Sequence, residues 1–202
     1  STLLGTMFGL PLGVFLAISQ RGELLSAPWV NKVLGLVVNA TRSVPFIILV
    51  VAIIPFTRAI AGTSIGTTAA IVPLTIAAVP FIARLVENAI REVDSGLIEA
   101  ARAMGATPFQ IIRKVLVPEA LPSITLGLTL AVVSLIGYSA MVGAVGGEGL
   151  GDLGIRYGYQ RFMPDVMAVV VVILIILVQL VQSIGEWIAA RVDKRAPKGR
   201  GQ

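Results

Sequence analysis

Long stretches of this chain run without a single charge, among them residues 59–83, 120–147 and 166–185. At 1.5 Å per helical residue, each is long enough to cross a hydrocarbon layer about 30 Å thick. A soluble helix carries charged residues along its outer face, and these runs carry no charge at all. Only 13% of the 202 residues are charged, against about 25% in ordinary soluble domains, and 56% are hydrophobic. The chain therefore reads as an all-α polytopic membrane protein. Five spans are predicted, at about 2–20, 33–57, 64–91, 121–145 and 165–189.

Several chemistries are excluded early. Cysteine and histidine are both absent, so disulfides, the commonest metal ligand and the commonest general base are missing. No metal and no cofactor is expected on the chain, and no catalytic residue. The net charge of +5 is not interleaved with aromatic residues and does not point to nucleic acid. No G-x-x-x-x-G-K-[ST] run occurs, so a nucleotide-binding P-loop is lacking. Glu87 and Glu186 fall toward the ends of their spans, so no deep acidic residue offers itself as a proton relay.

The basic residues set an expected orientation. With the segment around Glu99 placed inside, the cytoplasmic regions hold Arg21, Lys32, Arg42, Arg84, Arg91, Arg102, Arg113, Lys114, Arg191, Lys194, Arg195, Lys198 and Arg200. Those are thirteen of the sixteen Lys and Arg residues; only Arg58, Arg156 and Arg161 fall outside. The positive-inside bias puts the N-terminus outside and a basic tail, 190–202, in the cytoplasm. Residue 1 is Ser, and the apolar start reads as part of a span within a longer product, not as a signal peptide.

Gly5, Gly9 and Gly13 recur every four residues in the first span, a face suited to close helix packing. Arg42 is the lone charge of the second span, and its position leaves a snorkelling role and a functional one both open. Pro73 and Pro80 lie inside the third span, where neighbouring helices can satisfy freed carbonyls. Arg84, Glu87 and Arg91, at i, i+3 and i+7, form either a structural ion cluster or a contact for a partner.

Between spans three and four the chain interrupts itself with "EAARAMGATPFQIIRKVLVPEALP". Asp94 and Ser95 can cap a helix whose apolar positions are Leu97, Ile98, Ala101 and Met104, with Gly105 as its stop. Thr107, Pro108 and Gln110 form a capping-box pattern for a second helix over about 108–117, carrying Phe109, Ile112, Val115 and Leu116. Pro118 and Pro122 are predicted to break it before the fourth span. The result is a helix–turn–helix bracket over about 95–118. Its small alanines and single Arg102 suit docking on a protein better than lying on lipid.

This bracket resembles the EAA motif of ABC importer permeases: Glu99-Ala100-Ala101, then Gly105, then Val115-Leu116-Val117-Pro118, where the family pattern has Ile for Val115 and Leu for Val117. Further segments, "SVPFIILVVAIIPFTRAIAGTSIG", "VPLTIAAVPFIARLVENAI" and "GYSAMVGAVGGEGLG", resemble the permeases of methionine-uptake ABC transporters, and the resemblance covers essentially the whole chain. It implies a type I importer in the bacterial inner membrane. A second copy of the chain, two cytoplasmic ATPase subunits holding ATP and Mg, and an extracytoplasmic substrate-binding protein would complete it.

Glu99, Ala100, Ala101, Gly105 and Pro118 would then be the coupling element that docks on the ATPase. The glycine-rich outer loop 146–165 is expected to form part of the platform for the binding protein, or to serve only as a connection. For the translocation pathway the chain offers Ser43, Pro45, Tyr138, Ser139 and Met141. A permease for another amino acid, and an ATP-independent channel with the bracket as its gate, are the competing readings.

Overall fold

The computed structural model describes residues 1–20, 24, 27–143 and 146–193. All regular structure among them is helical: α1 (Thr2–Ile18), α2 (Pro28–Ser43), α3 (Phe46–Ala52), α4 (Ile54–Ala61), α5 (Thr67–Arg91), α6 (Ser95–Ala103), α7 (Pro108–Ile111), α8 (Val117–Gly143), α9 (Leu150–Leu153) and α10 (Pro164–Val192). Arg21 and the basic tail residues Lys194, Arg195, Lys198 and Arg200, which carry part of the orientation argument, lie outside the described residues.

Helix α5 is the axis of the bundle. Ala78, Ile82, Ala83 and Val86 are almost wholly buried, packed between α1 on one side and α8 on the other. The glycine face of α1 makes this possible. A Cβ on Gly5 would stand 2.6 Å from Ala78 Cβ, and one on Gly9 would stand 2.9 Å from Ile82 Cβ. The close approach anticipated from the four-residue spacing is present, with α5 as the partner. Pro73 and Pro80 sit within α5 without interrupting it. Helix α10 is the outermost: Val169, Ile173, Ile176, Leu180 and Ile184 all face outward. Such an apolar exterior is the normal surface of a helix in lipid, where burial inside the protein is not what stabilises it.

Three helices among the described residues, α5, Pro108–Gly143 and α10, are long and apolar enough to cross a membrane. The segment 33–57, read as one span, is not one straight helix. Helices α2 and α3 meet at 102°. The cause is local: Pro45 drives the preceding residue out of the helical region, and Val44 is extended at φ −81°, ψ 126°. A fourth crossing exists if this bent pair is one broken span, and α1 is shorter and apolar.

A second difference concerns Pro118 and Pro122, which do not break the chain. The helix runs on from Pro108 to Gly143, with residues Ile112–Leu116 widened into a π-helical turn. The carbonyl that the Pro118 ring would strike belongs to Lys114, within that widened turn, so the proline is accommodated instead of terminating the helix.

The segment 146–165 folds into more than a bare connection. Helix α9 and the π-helical stretch Gly154–Tyr159 fold back against α8 and α10. Gly151 lies so close to the Ala140 backbone that a side chain there would collide with it.

Candidate functional site

The bracket after α5 forms from its own local chemistry. The Asp94 carboxylate accepts the Gly96 N–H at 2.7 Å and starts α6. Gly105 ends it in the left-handed region, φ +76°. The Gly105 N–H donates to the Arg102 carbonyl at 2.9 Å and the Ala106 N–H to the Ala101 carbonyl at 3.0 Å. This pair of bonds is the Schellman arrangement, which satisfies carbonyls left open at a helix end. The turn into α7 is a full capping box: Thr107 Oγ1 accepts the Gln110 N–H at 3.4 Å, and the Gln110 side chain accepts the Thr107 N–H at 2.9 Å.

Burial within the bracket is rotated from the apolar stripe read in the sequence. Ala101 and Ile111 are buried in the same cluster as Ile82 and Val86, with Ile98 packed against it. Leu97 and Met104, at the other edge of the stripe, are exposed, and so is Phe109. Glu99, Ala100, Arg102 and Gly105 share that outer surface, while Pro118 is half-buried at the start of α8. The bracket is thus anchored through its inner edge and presents large apolar side chains, a carboxylate and a guanidinium outward.

The Arg84–Glu87–Arg91 cluster holds the end of α5 that leads into the bracket. Glu87 is 1% exposed and accepts from Arg84 at 2.6 Å and from Arg91 at 2.5 Å. Arg84 also donates to Asn39 Oδ1 at 2.9 Å and so ties α2 to α5. A carboxylate buried between two guanidiniums is a structural clamp, because losing either partner strands charge away from water.

The five pathway candidates do not form one surface. Ser43 and Pro45 lie at the α2–α3 bend, where Ser43 lines a cavity with Asn39, Arg84 and Glu87, whereas Tyr138 on α8 lines another. Ser43 is exposed, with its hydroxyl donating back to the Asn39 carbonyl at 2.8 Å. Tyr138 stacks on Phe46, ring centroids 4.6 Å apart. Ser139 lines a different cavity, of about 280 Å³, with Leu74, Leu135 and Leu177. Met141 is exposed. The sequence reading missed the aromatic neighbours of Tyr138: Phe46 and Phe81 join it, with Thr41, Arg42 and Leu49, around a cavity of about 130 Å³. The signal that was available is the lone charge, Arg42, whose guanidinium lies 5.8 Å from the Phe81 ring centroid.

An axial bundle, a broken helix and an outward-facing bracket describe many transport proteins, and sequence comparison narrows them. Residues 9–196 match the model of the binding-protein-dependent transport system inner membrane component family. The chain belongs to that family. Among members, it is 59% identical over 191 residues, 95% of this chain and 85% of the other, to a Vibrio cholerae protein named a probable D-methionine transport system permease. It is 49% identical over 195 residues, 96% of this chain and 90% of the other, to the Pasteurella multocida protein of that name. A solved chain of the MetNI methionine ABC transporter, from a set described as inward-facing, superposes with a TM-score of 0.93 at 52% identity, covering 96% of this chain and 89% of that one. A chain of an amino acid ABC transporter crystallised with histidines shares the fold, with a TM-score of 0.75 at 21% identity, covering 94% of this chain and 88% of that one.

Proposed function

We propose that this chain is the membrane-spanning permease subunit of an ATP-driven importer of methionine. The observation that carries this reading is the high identity over nearly the whole chain to permeases named for D-methionine transport, together with the close superposition on the methionine ABC transporter. The chain's own chemistry is compatible: it carries a capped, anchored bracket and no P-loop motif, so the energy would come from a separate ATPase.

In this reading Glu99, Ala100, Arg102 and the exposed Met104 and Phe109 dock on the ATPase, and the Gly105 turn fixes the angle between the bracket's two helices. Two copies of the chain pair with two ATPase subunits that hold ATP and Mg. A binding protein delivers substrate from outside, and the packed-back segment 146–165 forms part of its platform. The chain crosses the bacterial inner membrane five times, counting α1 and the bent α2–α3–α4 segment as one crossing each. Its N-terminus is outside and the bracket cytoplasmic, as the basic residues favour. Transport proceeds by alternation between two packings of the dimer. ATP and the loaded binding protein shift it only because each favours one packing over the other.

The test is uptake of labelled methionine into proteoliposomes containing this chain and its companion ATPase, with ATP inside and the binding protein outside. ATP-dependent uptake that methionine blocks best is the expected result. Uptake of a different amino acid would overturn the substrate assignment, and flux that ignores ATP would overturn the importer reading.

A further inference from the structure

Arg42 differs from the basic residues that the helices pair with carboxylates. Arg84 and Arg91 share Glu87, and Arg156 pairs with Asp152. Arg42 is the only charged residue in 33–57, and among the described residues it pairs with no carboxylate; its contact is the face of Phe81. A charge kept without a counter-ion in an apolar segment points to a function, and a guanidinium is the group best shaped to grip a carboxylate in two places. Arg42 is exposed in the last turn of α2 and at the same time lines the cavity between α2, α3, α5 and α8, with Phe46, Phe81 and Tyr138 among the other walls.

We propose that this cavity is a transit site for the substrate amino acid, with Arg42 holding the carboxylate and the three rings holding the thioether side chain. This inference rests on the reading of the chain as a methionine permease. Sulfur makes favourable contacts at aromatic edges, and Phe46 and Tyr138 are fixed as such a surface by their own stacking. The cavity, about 130 Å³, fits one side chain and is well below the ~300 Å³ at which pockets for larger ligands begin. The ammonium has acceptors too. Helix α2 stops at Ser43 because Pro45 bends the chain away, so its last-turn carbonyls lack intrahelical donors. A helix broken within a membrane segment places such backbone groups where a transporter needs them. The contacts are few, which suits a site that must release as well as bind.

Two experiments on the complex with its ATPase test this. In detergent, without the binding protein, a diazirine analogue of methionine is photo-cross-linked and its adducts mapped. Adducts on Phe46, Phe81 or Tyr138 are expected, displaced by methionine but not by methioninol, which has no carboxylate. Displacement by both alike, or adducts only elsewhere, overturns the proposal. In proteoliposomes, Arg42→Gln is expected to lower methionine uptake by about tenfold or more, the cost of losing one charge-assisted contact, with Arg42→Lys recovering part of it. Undiminished uptake by Arg42→Gln overturns the site while leaving the permease reading intact; absent uptake by the unaltered complex overturns the permease reading itself. Should Arg42→Gln fail to assemble, the methioninol comparison on the unaltered complex still decides.

Discussion

Gly105 and Glu87 show how differently two residues can matter at the same end of the molecule. At Gly105 there is open space: nothing lies within 4 Å of where a Cβ would stand. The constraint is its φ of +76°, a conformation that costs other L-residues about 1–2 kcal/mol. Gly105→Val should therefore loosen the turn between α6 and α7 without disturbing insertion. Reduced ATP-driven uptake with intact assembly is the expected outcome, and Glu99→Lys should give the same pattern by reversing the charge on the exposed surface. Normal uptake in both variants would count against the bracket as the coupling element. Glu87 is the opposite case, confined between Arg84 and Arg91. Glu87→Ala should destabilise the chain, read as a lower unfolding midpoint in detergent, because it removes the carboxylate that joins Arg84 and Arg91; both guanidiniums keep contact with solvent, so the loss should stay below the roughly 3–5 kcal/mol of stranding a fully buried charge. Both roles follow from sequence pattern in part. The Gly105 stop was legible because helix ends have local signatures. The choice of structural clamp for Glu87 needed its burial and the reach of Arg84 to Asn39 on another helix.

At the level of elements, the informative cases are the prolines. Pro45, Pro73, Pro80, Pro118 and Pro122 look alike in the sequence, yet only Pro45 coincides with a sharp bend. A proline forbids one hydrogen bond and disfavours one backbone region for its predecessor, and its surroundings decide whether that ends a helix. At Pro118 the π-helical turn absorbs the ring and the helix continues. Pro118→Ala is accordingly expected not to destabilise the chain, since alanine is the better helix former by up to about 3 kcal/mol. A large loss in a thermal melt would mean the widened turn depends on the proline. The glycine face of α1 predicts the reverse sensitivity. Gly9→Val would thrust two methyl groups at Ile82 and the Val79 carbonyl, already 2.9 Å from a Cβ at that position. Overpacking of this kind costs typically 1–3 kcal/mol, so a lowered melting midpoint or loss of the folded chain in detergent is expected.

For the whole molecule, the division of labour between sequence and fold follows from the range of the forces involved. Charge-free runs, capping patterns and the positions of Gly, Pro and Lys or Arg act over a few residues or one bilayer crossing. The sequence by itself therefore determined the helical membrane class, the bracket with both of its caps, and the family resemblance carried by its spacing. It did not reveal which edge of the α6 stripe is buried, since rotation of a short amphipathic helix is settled by the neighbour it meets, here the cluster around Ile82 and Val86. Nor did it reveal that Tyr138 faces Phe46, Phe81 and Arg42 while Ser139, one residue on, lines a different cavity. Successive residues on a helix point about 100° apart, so two neighbours in sequence serve different surfaces once other helices surround them. Those surfaces are made by α2, α5, α8 and α10 meeting at distances of many tens of residues along the chain. Only the tertiary structure decided them, because long-range packing is where residues with no local signature acquire partners.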